Sequence, residues 1–193
     1  MKRIYLLTLS LFCSFALVAQ TASISGTVTM ASDNITPLEG VSVQAVDANG
    51  NLVDFTTTSA SGNYVLEDLP VGATYSIVCS FDGSVLLGVS TMDVVLGAMH
   101  ILGIESLDSP YKILAGDAND SGSLSTLDLV LMRRVILNID NTFPAGSWRF
   151  ILESTSFPNP MNPFDATNIE VQLTDDINNL DIIGIKTGDL QQD

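Results

Sequence analysis

The chain has 193 residues with 22 acidic and 7 basic side chains, a formal net charge of −15 and a pI of about 4.1. That length suits one domain or two small ones. The charge excludes nucleic acid and anionic membrane surfaces as partners, because no cluster of Lys and Arg is present to meet phosphates. From Ile4 to Tyr111 there is no Lys or Arg against ten Asp and Glu. Such a stretch repels itself unless a cation joins it, and calcium is the candidate.

Lys2 and Arg3 form a charged start, Ile4 to Val18 is mostly apolar, and Ala19 suits a cleavage site. Residues 1–20 are therefore expected to be a secretory signal peptide, too short for a membrane span. No later segment is long and apolar enough to cross a bilayer, so the mature protein is expected to be secreted or held at the cell surface. Cys13 lies inside the expected signal peptide. Cys79 is then left without a disulfide partner and is expected to be a buried small hydrophobe. His100 is the only His. With no second His or Cys beside it, it is expected to be a partly exposed helix residue.

From Ala22 onward the apolar residues alternate. Ile24, Gly26, Val28 and Met30 share one face of a first strand, and Val41, Val43 and Ala45 one face of a second. Asn49-Gly50 marks a hairpin turn. Leu52–Thr58, Tyr64–Leu66 and Thr74–Cys79 complete a set of short strands whose spacing predicts a β-sandwich over residues 21–80. Phe55, Tyr64 and Tyr75 are expected in its core. The runs SGTV, LEGVSVQAVDANG, TTTSASGNYVLEDLPVG and ATYSI resemble the carboxypeptidase-regulatory-like and related B-type modules of bacterial surface proteins. That resemblance implies a spacer or stalk.

Residues 89–102 (VSTMDVVLGAMHIL) recur 35 positions later as residues 124–137 (LSTLDLVLMRRVIL). Each copy opens with a capping Ser or Thr and an acid in the first turn, then carries apolar residues at helical spacing. Two helices packed on each other are expected. Ahead of the second lies GDANDSGSLSTLD. With Asp117 at loop position 1, Asn119, Ser121, Ser123, Ser125 and Asp128 fall at positions 3, 5, 7, 9 and 12, and Gly122 at position 6. That is the spacing of a calcium loop, where alternate residues turn oxygens inward. Ser at position 5 and Asp, not Glu, at position 12 weaken it. The same oxygens also suit an Asx- and Gly-rich turn that caps a helix.

The loop and the helix LDLVLMRRVIL together resemble a type I dockerin over residues 81–140, with a degenerate first repeat running from Asp82 to Asp93. The resemblance implies one calcium ion, a second and doubtful site in the first loop, and a cohesin-like partner module. It implies partner contacts at Thr126 and Leu127, at Thr91 and Met92, and at Arg133 and Arg134. Arg133 and Arg134 also suit two solvated residues above an acidic surface.

Residues 141–193 hold FPAGSWRF, FPNPMNPF, IEVQL and DIIGIKTGDL. They are expected to be a β/loop extension, with Trp148 and Phe150 packed on the helix pair. A β module, a degenerate dockerin and a Trp-bearing tail resemble a unit of large exported proteins in Bacteroidetes-type bacteria. Gly188-Asp189 opens a second acidic motif. The fold expected is thus mainly β with a small α part. The function expected is a non-catalytic docking module in polysaccharide-degrading or surface assemblies. The alternatives are a structural or adhesive surface protein, in which a neighbouring surface protein is the partner, and an accessory part of a glycoside hydrolase.

Overall fold

The computed structural model describes residues 20–164 and 168–192, so the expected signal peptide lies outside the described residues except for Gln20. The first half follows its alternation. Strands β1 (Thr21–Met30), β2 (Ser42–Asp47), β3 (Leu52–Thr57), β4 (Asn63–Pro70) and β5 (Thr74–Ser80) form close to the expected bounds. Ile24, Val28, Val43, Ala45, Leu66 and Ile77 face a shared core. In β4, Leu66 and Leu69 are three apart, yet both are fully buried. Asp68 takes a left-handed backbone with φ 53° and inserts an extra residue as a bulge. At the β2–β3 turn, the Asp47 carboxylate accepts the backbone N–H groups of Asn49 and Asn51. Hydrogen bonds led by Asn51 hold that exposed carboxyl down at about 2.

Three helices follow: α1 (Thr91–Ile101), α2 (Pro110–Gly116) and α3 (Thr126–Ile136). The two expected repeat helices are α1 and α3, which pack on each other. Helix α2 falls between the two repeats, where no element is expected from the sequence. Its signals are present all the same: Ser109 caps the N-terminus through Tyr111 N–H, and Pro110 stands in the first turn.

The chain then returns through β6 (Trp148–Leu152), β7 (Ile169–Gln172) and β8 (Ile182–Lys186). Among the described residues, the strands form two four-stranded sheets of order β4-β1-β8-β6 and β3-β2-β5-β7, and side chains from both enter one core. The C-terminal stretch is therefore built into the sandwich. Trp148 and Phe150 are corrected accordingly: they join the sandwich core and not the helix pair. Trp148, Phe150 and Leu152 stand opposite Lys186, Gly184 and Ile182, which puts them on the inner face of the sheet. Trp148 packs edge-on against Phe81 at 5.3 Å between ring centres. Phe143 and Leu190, from the same stretch, do pack with the helices.

Strand β8 is buried on both faces. Ile182 faces the sandwich core, while Ile183 and Ile185 face Leu114 and Ala115 of α2. This explains its continuous apolar run, since alternation marks a strand with only one buried face. β8 runs parallel to β1, with Val28, Thr29 and Met30 opposite Ile182, Ile183 and Gly184. The approach to β8 is fixed earlier. Ser25 N–H donates to the Ile177 carbonyl, Leu180 N–H donates to the Ser25 carbonyl, and Asp181 accepts the N–H and hydroxyl of Thr27. Gly26 makes this possible, because a Cβ there would collide with the Leu180 carbonyl, which also accepts the Tyr64 hydroxyl at 2.6 Å. Since the obstacle is backbone, Gly26→Ala is expected to cost about 1–3 kcal/mol of unfolding free energy in urea titrations. An unchanged midpoint would contradict this packing.

Candidate functional site

The predicted loop residues gather at the junction of α2 and α3. Asp117 ends α2 and is fully buried. Its carboxylate accepts Ser121 N–H at 2.9 Å and Gly122 N–H at 3.0 Å, one on each oxygen. Gly122 takes a left-handed φ of 75°, the bend its position predicts. Asn119 Oδ1 also accepts Ser121 N–H, and the Ser121 hydroxyl lies 3.3 Å from the Ser123 carbonyl. Asp128, at loop position 12, is fully buried. One of its oxygens accepts Ala118 N–H at 3.0 Å, and the other accepts the N–H and hydroxyl of Ser125 at 2.8 Å each. This is a capping box, in which the acid satisfies amides that the helix start leaves free.

The first repeat carries the same box with a different supplier. Asp93 is fully buried, and one oxygen accepts the N–H and hydroxyl of Ser90 at 2.7 and 2.9 Å. Its other oxygen accepts the N–H groups of Leu190 and Gln191 at 2.7 and 3.0 Å. Asp82, the expected start of the first loop, is exposed.

Two cations missed by the sequence reading sit among these acids. Arg149, on β6, reaches the second-repeat loop, donating to the Asp117 carbonyl at 2.7 Å and to the Asp120 carboxylate at 2.7 Å. It also lies 3.5 Å from the Asp117 carboxylate, with only 16% of its side chain exposed. Lys186, at the end of β8, is buried and donates to the carbonyls of Val85 and Thr187 at 2.9 and 2.8 Å. Burial pushes its ammonium down to about 8 against the opposing pull of Asp189 and Asp93. The available sequence signal was Gly188-Asp189, which repeats Gly116-Asp117.

As folded, these residues serve backbone amides. Both oxygens of Asp117 and both of Asp128 accept N–H groups, and the Arg149 guanidinium lies between Asp117 and Asp120. The chemistry the donor set performs here is helix capping.

The expected partner-contact residues divide. Thr91, Met92, Thr126, Leu127 and Arg133 are exposed along α1 and α3. Arg134 is engaged within the chain, donating through Nε and Nη2 to Asp140 at 2.6 and 2.8 Å. His100, partly exposed on α1, accepts Leu107 N–H through Nδ1. In the sandwich, Tyr64 and Tyr75 are buried as expected, but Phe55 is 62% exposed on edge strand β3. Its position in the strand places it on the face turned from the core. Burial pushes the Cys79 thiol up to about 12, which keeps it protonated and poorly nucleophilic at neutral pH.

Residues 23–99 match the family model of the carboxypeptidase regulatory-like domain, a span that covers nearly all of β1 and runs through β5 into α1. No dockerin family model is matched. No curated protein matches the chain.

Lys186 gives a test of the buried charge. Its folded pKa of about 8 lies below the ordinary 10.5, so the unfolded chain binds more protons between those values. Stability from this group therefore rises with pH across that window and is lost as pH falls through 8. Relative to Lys186→Met, which removes the titration, the native chain is expected to gain on the order of 3 kcal/mol from pH 8 to 10.5 in urea unfolding. A difference that stays flat with pH would contradict the burial of a charged amine.

Proposed function

We propose that this chain is an exported, non-catalytic docking module whose β-sandwich presents the α1–α3 face to a cohesin-type protein module. The supporting observation is matched exposure at the repeat spacing of 35 residues. Met92 and Leu127, Val95 and Val130, Leu102 and Leu137, and Ile104 and Ile139 are each 47–71% exposed. One unpaired apolar side chain at a surface needs no explanation, but four pairs, two on the packed helices and two at their C-terminal ends, describe a surface fit for a partner. Exposed Thr91 and Thr126 flank it at the helix starts. The halves differ where Arg133 and Arg134 stand in place of Ala98 and Met99, so a single docking orientation is proposed. The acids near the helices serve as caps and the Cys79 thiol is held protonated, which supports a binding role over a catalytic one.

A second reading is a structural or adhesive surface protein in which the helix pair serves stability and a neighbouring surface protein is the contact. The Arg134–Asp140 ion pair favours it, since it removes one of the expected partner contacts. Surface plasmon resonance against a panel of immobilised cohesin modules separates the two. The docking reading expects saturable binding that Leu127→Asp weakens at least tenfold while the circular dichroism spectrum is unchanged. Absence of binding by the folded protein across the panel would leave the structural reading.

A further inference from the structure

Each repeat helix meets a Gly-Asp-apolar segment at its start. For α3 that segment is Gly116-Asp117-Ala118, directly ahead in the chain. For α1 it is Gly188-Asp189-Leu190, which arrives from the far end of β8. The correspondence is closest at the capping acids. Ala118 N–H donates to Asp128 at 3.0 Å, and Leu190 N–H donates to Asp93 at 2.7 Å. The other oxygen of each capping acid takes the N–H and hydroxyl of its own Ser, Ser125 or Ser90. Asp117 Oδ1 accepts Ser121 N–H, and Asp189 Oδ1 accepts Gln192 N–H at 2.7 Å. Both first acids are buried, Asp117 at 0% and Asp189 at 3% exposure. The second segment reaches the chain just ahead of the first, with Gly188 N–H donating to the Ala115 carbonyl at 2.8 Å.

A buried carboxylate needs a counter-charge or dedicated donors, and a calcium loop supplies the charge with a metal ion. Here the strands supply it. Arg149 bridges Asp117 and Asp120 in the second repeat. In the first, the Lys186 ammonium donates to the Val85 and Thr187 carbonyls that flank the same junction, and its charge is drawn by Asp189 and Asp93. Both cations come from paired strands, Trp148 and Lys186 being opposite each other in the β6–β8 register, so the sandwich carries one cation to each repeat.

We infer that residues 188–192 serve as the loop of the first repeat and that Arg149 and Lys186 take the place of calcium in the two repeats, making the helix pair independent of metal. This goes beyond the docking reading and does not rest on it.

Thermal melts of the full chain in excess EGTA and in millimolar calcium test the inference. A loop that binds the ion at a hundredfold above its dissociation constant would raise the melting temperature by roughly 5–10 °C for a chain of this size. The expected result is a shift under about 1 °C, with no saturable terbium luminescence sensitised by Trp148. A calcium-dependent rise of several degrees in the native chain would overturn the inference. Arg149→Gln removes the resident cation and leaves Asp117 and Asp120 uncompensated. It is expected to melt several degrees lower in EGTA and to regain part of that in calcium. A variant that melts as the native chain does in EGTA would show that Arg149 does not hold the loop. If the variant does not fold, the two melts of the native chain decide the question by themselves.

Discussion

The parallel pairing of β1 with β8 is the contact on which the rest of this structure depends. It joins Val28 to Ile182 across more than three quarters of the chain. Parallel neighbours need a long connection, and here that connection includes α1, α2 and α3. β8 fills the centre of its sheet, with β1 on one side and β6 on the other. Without it β6 has no partner in that sheet, and Ala31 N–H loses the Gly184 carbonyl. The inner face loses Ile182, and the outer face loses Ile183 and Ile185, on which α2 is seated. The single Cβ-free position at Gly26 lets the approaching chain close against β1.

The same strand governs the helices. Directly beyond Lys186 the chain turns through Gly188, whose φ is 88°, and delivers Leu190 to the start of α1. One continuous segment thus pairs with β1, carries a cation and caps a helix. The acidity of the chain gains a partial explanation from this geometry. Asp93, Asp117 and Asp128 are buried polar groups whose oxygens accept backbone amides, and Asp181 accepts Thr27 at the edge of β1. These acids are structural ligands of the backbone. Exposed acids such as Asp82, Glu105 and Asp175 remain solvated surface and keep the net charge strongly negative.

The local part of this fold was legible in the sequence, and the long-range part was not. The alternation of Ile24, Val28, Val43 and Ala45 marks β1 and β2, each with one buried and one open face, while β3, which buries no residue, shows only in its Val, Phe and Thr content. The 35-residue recurrence gave α1 and α3, including the Ser–Asp boxes at their starts. The role of Ile182–Lys186 was hidden, since a run buried on both faces has no period to reveal its partner. Trp148 and Phe150 were placed on the helices for the same reason: strand neighbours remote in sequence leave no local mark. The loop grammar at Asp117–Asp128 located residues that the fold does bring together. Spacing reports where the oxygens and their local amide donors lie, whereas the approach of Arg149 comes from tertiary packing. Gly188-Asp189 was visible as a motif, and its use by α1 follows only from the course of β8.

The most direct test of this dependence is equilibrium urea unfolding of the chain ended at residue 176, before β8, beside the chain ended at residue 192, each followed by tryptophan fluorescence and far-UV circular dichroism. If β8 holds both sheets and the helices, the longer chain unfolds in one cooperative step by both probes, and the shorter one shows no cooperative transition by either. A shorter chain that keeps a cooperative transition with a similar midpoint would mean that the module of β1 to β5 stands alone, and would contradict the dependence on β8.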